Sequence, residues 1–390
     1  MIAVVAMSLV VLAAWIYLLS ARARLAEASL LDLFETRDTP ERWPPVSVII
    51  PARNEVSALR LTLPSLLSFY YPQAEIILVD DCSTDGTAEV AAQIAAAQGR
   101  ENLRVVTGTE PPPGWRGKLW AIEQGVRASI GEWLLFFDAD ITCTPYLPRD
   151  LIRFAMKQGF QMASAMVLLR VESFWDRLLV PAFVFFFHLL YPFDRVARGR
   201  SAVAAAAGGC ILVERAALDA AGGLEAVRDA WIDDVALARA MKRSGAKVYL
   251  GVTVQAMSVR RYGTLKSIRQ MVARSAFTQL RYSWGLVAIT LLAMAILFGV
   301  PFMTAVVLTT RLVIIDSPDL AYVLGASAGF SLGFMITSYA PFLRLYRLPI
   351  IWGLTLPAAA VLYAAMTVES GLLHTFGRGP EWKGRRGDAG

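Results

Sequence analysis

Trp133-Leu134-Leu135-Phe136-Phe137-Asp138-Ala139-Asp140 is the stretch on which the reading of this chain turns. An apolar run of this length, rich in aromatics, suits a strand buried on both faces. The run stops abruptly in two carboxylates. Acids at the end of a buried strand are costly unless something positive compensates them. A divalent metal is one candidate, because hard cations such as Mg2+ or Mn2+ take carboxylate oxygens together with substrate phosphates. An Asp-x-Asp triplet alone is a weak signal, since it recurs by chance in loops. The rest of the chain has to supply its partners.

Upstream, residues 46–50 read as a buried strand stopped by Pro51, followed by the turn Ala52-Arg53-Asn54-Glu55 and a helix over 57–70. Glu75-Ile76-Ile77-Leu78-Val79 is a second strand that ends in Asp80-Asp81. Ser83-Thr84-Asp85-Gly86-Thr87 has turn and capping chemistry ahead of an Ala-rich helix over 88–98, and 103–106 is a short third strand. Strands and helices alternating through short links predict a parallel sheet with helices on both faces. Ligands in such sheets bind beyond the carboxyl ends of the strands. Polar clusters end three strands here: Arg53-Asn54-Glu55, Asp80-Asp81 and Asp138-Ala139-Asp140. Acids from separate parts of the chain therefore meet at one edge. The turn after the first strand holds no Gly-x-Gly-x-x-Gly, and no P-loop is present. Acids and a metal, rather than a glycine cradle, would have to hold any phosphates.

Further along, Lys118 opens a helix after the proline run 111–113. A lysine there opposes the helix dipole, so it suits an anionic partner; an ordinary solvated lysine is the alternative. Gly208-Gly209 permit close backbone approach. Asp233-Asp234 begin an amphipathic helix, where carboxylates suit the positive end; simple capping is the alternative. A final strand is predicted over 248–254. Residues 178–191, with Phe183 and Phe185-Phe186-Phe187, are too short to span a bilayer. They suit a helix lying in a membrane interface, with Arg195, Arg198 and Arg200 directly after it; a core helix is the bland reading.

The chain has 390 residues, 56% hydrophobic and only 18% charged, and a net charge of +6. That apolar share exceeds the ~45–50% of soluble proteins. The first 20 residues form an apolar run followed by Arg22 and Arg24. No Lys or Arg precedes the run, which favours an anchor over a cleaved signal peptide. Three more apolar runs cover 286–308, 322–343 and 349–368. The positive-inside rule puts the main domain in the cytoplasm, the link 309–319 outside, and Arg344 and Arg347 inside. It also puts the tail, with Arg378, Lys383, Arg385 and Arg386, inside, although a full final span would carry that tail outside. Either one segment is re-entrant or the charge rule fails. Cys82, Cys143 and Cys210 are odd in number and scattered, which argues against a disulfide framework or a zinc site. Two histidines argue against a His-rich metal site or a Ser-His-Asp triad. Basic residues are dispersed beside apolar spans, which suits anionic lipid rather than nucleic acid.

Val48-Ile49-Ile50-Pro51-Ala52-Arg53-Asn54-Glu55, Val79-Asp80-Asp81-Cys82-Ser83-Thr84-Asp85-Gly86-Thr87 and Asp138-Ala139-Asp140, in that order, resemble the nucleotide-sugar half of family 2 glycosyltransferases with the GT-A fold. The resemblance implies an α/β domain with a mixed, mainly parallel sheet. It implies that Asp81 hydrogen-bonds the nucleotide base with Glu55 nearby, and that Asp138 and Asp140 bind Mg2+ or Mn2+ with the diphosphate and sugar. Gly117-Lys118 would approach the nucleotide, and Gly208-Gly209 would lie by the donor sugar and acceptor. Asp233-Asp234 resembles the family's Glu-Asp pair, with Asp233 in place of Glu; Asp234 matches the catalytic base and Asp233 would position it. Gln270 and Arg274 depart from the Gln-x-x-Arg-Trp of processive and ceramide-type relatives by one extra residue and a missing Trp, which counts against a polymer-extending synthase. The donor-binding set implied is Pro51, Arg53, Glu55, Asp81, Lys118, Asp138, Gly208, Gly209 and Arg274.

Pro113-Gly114-Trp115-Arg116-Gly117-Lys118-Leu119-Trp120, Glu172-Ser173-Phe174-Trp175, Ala206-Ala207-Gly208-Gly209-Cys210 and Met271-Val272-Ala273-Arg274-Ser275-Ala276-Phe277 are similar to the hopene-associated glycosyltransferases of bacteria. That resemblance implies an inverting, membrane-bound transferase. It would move a sugar from a nucleotide-diphosphate donor, UDP-linked, to a hydroxyl of a hopanoid-like isoprenoid lipid at the bacterial inner membrane. A sphingolipid-like, carotenoid or polyprenyl phosphate acceptor is the alternative, and a non-catalytic nucleotide-sugar-binding scaffold is a rival of another class. The expected layout is an anchor at 1–20, a linker at 21–44, a cytoplasmic GT-A domain at 45–284, a membrane domain at 285–370 with two or three transmembrane helices, and a basic tail at 371–390.

Overall fold

Strand β1 (Val46–Ala52) is buried at every residue, as its apolar run requires. In the computed structural model, which describes residues 2–23, 42–100, 102–310, 317–376, 381–382 and 385–386, it lies inside an eight-stranded sheet. β2 (Ala74–Asp80) and β4 (Trp133–Phe137) flank β1 in parallel, and β3 (Leu103–Thr107) continues the parallel set beyond β2. β7 (Cys210–Glu214) pairs antiparallel with both β4 and β6 (Met162–Leu168). β8 (Val248–Ser258) then runs parallel to β6, and the short β5 (Ile141–Cys143) closes that edge antiparallel to β8. The order is β3-β2-β1-β4-β7-β6-β8-β5. This is the mixed, mainly parallel sheet that the family resemblance implies, with antiparallel pairs at β7 and β5 that the alternation of strands and helices alone does not reveal.

β1 does not stop at Pro51 but runs to Ala52, with Pro51 opposite Val79 of β2. Pairing with β4 has already ended at Ile49, so the missing proline N–H interrupts no ladder on that side. The strand predicted over 248–254 likewise extends to Ser258. Its added residues read as non-strand because polar and apolar residues mix there.

Helices α2 (Val56–Leu67), α3 (Thr87–Ala97), α4 (Gly117–Ala128), α5 (Leu147–Gln158) and α9 (Asp233–Arg243) belong to the same compact unit, with the short α7 (Phe193–Ala197) and α8 (Arg215–Ala220). Leu59, Leu63 and Leu66 of α2 share one core with Val48, Ile50, Leu78 and Leu135 of the sheet. Each such fully buried side chain contributes about 1.5–3 kcal/mol. α4 lies unusually close to the sheet. A Cβ at Gly125 would stand 2.4 Å from Ile49 Cγ2 and 3.1 Å from Val79 Cγ2, so the absence of a side chain there sets the contact.

The second compact unit is helical and comprises residues 1–27, 171–190 and 262–380. It holds α1 (Ile2–Ala23), α6 (Phe174–Leu190), α10 (Leu265–Gln279), α11 (Trp284–Met294), α12 (Val300–Thr310), α13 (Pro318–Leu345) and α14 (Leu356–Thr375). A π-turn, Ala295–Gly299, joins α11 to α12, and a 3-10 turn, Ile350–Thr355, precedes α14. Among the described residues, three helical stretches are long and apolar enough to cross a membrane: Trp284–Thr310, Pro318–Leu345 and Ile350–Thr375. Two segments expected within the α/β domain, α6 and α10, pack with these helices instead. α6 buries Leu178, Val180, Ala182 and Phe185, with Phe185 against Tyr339 and Phe342 of α13. It is an enclosed helix rather than one spread over an interface. The Tyr363 hydroxyl of α14 donates to the Leu179 carbonyl at 2.8 Å. Most of the linker expected at 21–44 and half of the basic tail expected at 371–390 lie outside the described residues.

Candidate active site

The carboxyl edge of the sheet gathers the polar strand ends. After β1, Asn54 adopts a left-handed conformation with φ 52°. That turn lets its side chain accept from the Thr84 N–H at 2.8 Å while its own N–H donates to Ser83 Oγ at 2.9 Å. The Glu55 N–H donates to Thr87 Oγ1 at 3.0 Å, so the loops after β1 and β2 interlock. Arg53 Nη1 donates to the Asp81 carbonyl at 2.6 Å and stands 3.8 Å from the Asp81 carboxylate. Asp81 is fully buried beneath it.

The triplet that ends β4 is held by two cations. Lys118 Nζ lies 2.9 Å from Asp138 Oδ1 and 3.4 Å from Asp233 Oδ2, and so joins the strand end to the start of α9. Arg260 Nε donates to Asp140 Oδ2 at 2.9 Å, and its guanidinium also stands 3.9 Å from Glu55. The backbone is fixed as well: the Val259 N–H donates to the Asp140 carbonyl at 2.8 Å, and the Asp138 N–H to the Gly209 carbonyl at 3.2 Å. The two carboxylates offer hard oxygen donors. Among the described residues no third His, Cys, Asp or Glu joins them as a metal-holding group. This set fits a hard divalent ion that completes its shell with diphosphate oxygens and water.

Pro51, Lys118, Asp138, Gly208, Asp233 and Asp234 line one pocket. Its floor is tight at Gly208, where a Cβ would stand 3.3 Å from Lys118 Nζ and 3.5 Å from Asp234 Oδ2. Electrostatics divides the acids. Burial pushes the Asp234 carboxyl up, and the adjacent Asp233 charge adds to it, against the pull of Lys118 and of the Val235 and Gly208 N–H groups. The balance is a pKa raised to about 7. Burial also raises Asp138, with Lys118 opposing. For Lys118, burial favours the neutral amine, but the charges of Asp138, Asp233 and Asp234 outweigh it and raise the pKa, so the ammonium persists. An acid that titrates near neutrality beside a permanent cation can accept a proton, whereas a carboxylate locked to an ammonium is suited to holding charge.

Sequence reasoning named most of this set but missed Arg260, because the strand leading to it was ended four residues early. Arg274 is exposed on α10, which belongs to the helical unit. Sequence reasoning also missed the clamp ahead of Lys118. The Arg116 N–H donates to the Arg228 carbonyl at 2.8 Å, its Nε to the Asp229 carbonyl at 3.2 Å, and its guanidinium lies 3.9 Å from the Trp231 ring centroid. The loop that leads into α4 and Lys118 is thereby bolted to the loop that leads into α9 and Asp233.

Residues 47–222 match the family model described as Glycosyl transferase family 2. The protein named "Probable glycosyltransferase YdaM" of Bacillus subtilis (strain 168) is 35% identical over 108 residues, covering 27% of this chain and 25% of that protein. The 4,4'-diaponeurosporenoate glycosyltransferase of Staphylococcus haemolyticus (strain JCSC1435) is 36% identical over 108 residues, covering 28% and 27%. The matched stretches thus span only about a quarter of these relatives' lengths. A mannosyltransferase of Pyrobaculum calidifontis, solved in complex with GDP-Man and Mn2+, shares the fold with a TM-score of 0.57 at 19% identity, over 94% of this chain and 99% of that one. Residues 47–222 thus resemble family 2 glycosyl transferases, and the chain shares the fold of that mannosyltransferase, a GT-A-like α/β domain with apolar C-terminal helices.

Proposed function

We propose that this protein is a membrane-bound, inverting glycosyltransferase that moves a sugar from a nucleotide-diphosphate donor, UDP-linked, to a hydroxyl of a hopanoid-like isoprenoid lipid. The observation that carries the chemistry is the single pocket in which Lys118 joins Asp138 to Asp233 beside Asp234. In this reading the nucleotide lies over the interlocked loops of Arg53, Glu55 and Asp81. Asp138 and Asp140 would hold Mg2+ or Mn2+, which neutralises charge on the departing diphosphate when bound. Lys118 and Arg260 stand ready to pair with the same phosphates. Asp234 takes the acceptor hydroxyl proton as that oxygen bonds to the anomeric carbon and the bond to the diphosphate breaks on the opposite face. Asp233 holds Lys118 and raises the proton affinity of Asp234.

The three long apolar helices support a place in the membrane, read as the bacterial inner membrane with the α/β domain in the cytoplasm. The hopanoid acceptor rests on the resemblance of the stretches around Lys118, Gly208 and Arg274 to hopene-associated enzymes. A carotenoid or polyprenyl phosphate acceptor is the second reading, favoured by the name of the staphylococcal relative. Membranes containing the enzyme, incubated with a panel of labelled nucleotide sugars and read by lipid mass spectrometry, name donor and acceptor together. A glycosylated hopanoid is the expected product. An unchanged hopanoid profile with another labelled glycolipid would transfer the activity to the second reading.

A further inference from the structure

The directions of the last helices bear on the conflict between the charged tail and a full final span. α12 leads into α13 as an antiparallel pair: the early α13 residue Gly325 lies against Leu308, near the end of α12. α13 therefore runs back towards the end from which α11 starts. α14 runs the same way. Its last residue, Thr375, accepts from Trp284 Nε1 at the very start of α11 with a separation of 3.3 Å. Deeper in the unit, Phe186 contacts both Phe298 of the π-turn, with ring centroids at 5.5 Å, and Tyr363 of α14, at 5.3 Å. α14 is thus antiparallel to the α11 stretch and parallel to α13.

Successive full crossings of a bilayer must alternate in direction, so α13 and α14 cannot be successive crossings. The link between them, residues 346–355, includes the six-residue 3-10 turn. At ~2 Å per residue in that turn and ~3.3–3.6 Å elsewhere it reaches no more than about 25 Å, short of the ~30 Å hydrocarbon layer. The turn itself lies part-way in. A Cβ at Gly353 would stand 2.9 Å from Ile336 Cγ2, and Ile336 is roughly 13 Å up α13 from its end, at ~1.5 Å per residue. Ile350, Ile351 and Leu354 are 58%, 63% and 49% exposed on this turn, apolar surface that suits hydrocarbon rather than water. Irregular backbone at that depth is tolerable where protein covers it, and Gly353 is buried against α13. At the other end, Glu369 pairs with Arg269 of α10 at 3.5 Å, so charge gathers where α14 returns to the start of α11.

We infer that residues 346–375 form a re-entrant membrane segment. The turn Ile350–Thr355 dips into the bilayer with Ile350, Ile351 and Leu354 against lipid, and α14 brings the chain back to the face it left. Arg344, Arg347 and the basic tail then lie on one side, as the charge rule asks. This inference rests on the membrane-bound reading above. The test uses the full chain in cells, with either alkaline phosphatase or green fluorescent protein fused after Gly390. The expected result is a fluorescent fusion and an inactive phosphatase. In parallel, Ile351→Cys should resist a membrane-impermeant maleimide applied to either face of intact membranes and react in detergent, while Ser317→Cys reacts from the outer face. An active phosphatase at the C-terminus, or Ile351→Cys labelled from outside, overturns the re-entrant segment while leaving the membrane reading intact. Release of the whole chain by alkaline carbonate would instead overturn the membrane reading itself.

Discussion

Two pairs of acids make up the candidate site and are built in different ways. Asp138 and Asp140 end a buried strand, where Lys118 and Arg260 meet them. Asp233 and Asp234 open a helix, and the same Lys118 reaches Asp233. Burial raises the pKa of both Asp138 and Asp234; at Asp138 the Lys118 charge comes next and opposes it, whereas at Asp234 the Asp233 charge comes next and adds to it. The same residue type thus meets a cation on the strand and a like charge on the helix, and the two differ in how readily they would hold a proton.

The sharpest way to break this contrast is Asp234→Asn. The substitution should lower the rate of sugar transfer by about 10³-fold, within the range for removing a general base, with donor affinity measured by calorimetry unchanged. Equal loss of donor binding would place Asp234 on the donor side and erase the distinction. Asp140→Asn should act on the other pair. We expect a loss of roughly 100-fold in kcat/KM for the nucleotide sugar, the scale for removing one electrostatic stabiliser, together with a need for more Mg2+ or Mn2+ to reach half-maximal rate. A change in rate with no change in metal dependence would count against its assigned role.

The pH profile sharpens the contrast further. A base with its pKa raised to about 7 is protonated and idle below that value, so kcat/KM should rise as pH passes upward through neutrality. The negative charge of Asp233 raises the Asp234 pKa, so Asp233→Asn should move that limb to lower pH. A limb that stays put, or moves up, would show that another group sets it. The smallest expected effect lies outside the pocket. Arg116→Lys keeps the charge but loses the flat stack on Trp231, and should lower kcat several-fold with little change in KM, because the loop that leads into Lys118 is no longer bolted to that leading into Asp233. Retention of full kcat would leave the clamp a matter of stability alone.

The strands nearest the donor side were the easiest to read. β1, β2 and β4 are apolar runs that end in polar residues, and nothing in their sequences competes with that pattern. The far side was harder. β8 carries Gln255 and Ser258 inside a strand, so no alternation marks its full length or points to Arg260 just beyond its end. Gln255 is buried because its amide is satisfied by Thr144 and Asp150, partners more than a hundred residues away that no local pattern reveals. The Phe-rich α6 misled for a similar reason. Its aromatics meet Tyr339, Phe342 and Tyr363, whose contribution appears only once the last helices fold against it. Asp233-Asp234 suits capping or catalysis equally well in sequence, and the approach of Lys118 to Asp233 comes from a helix more than a hundred residues away that no local pattern reveals.

The bare backbone of Gly125 has a reach beyond its own contact. It is the point where α4 touches β1 and β2, and Lys118 stands two turns away on the same rigid rod, roughly 10 Å along it at ~1.5 Å per residue. A methyl group at the fulcrum would tilt the rod, and the lever would carry that tilt to the ammonium that bridges the two acid pairs. The spacing of the charges that Lys118 bridges is thus gauged from inside the apolar core, where a side chain far from the pocket could retune them.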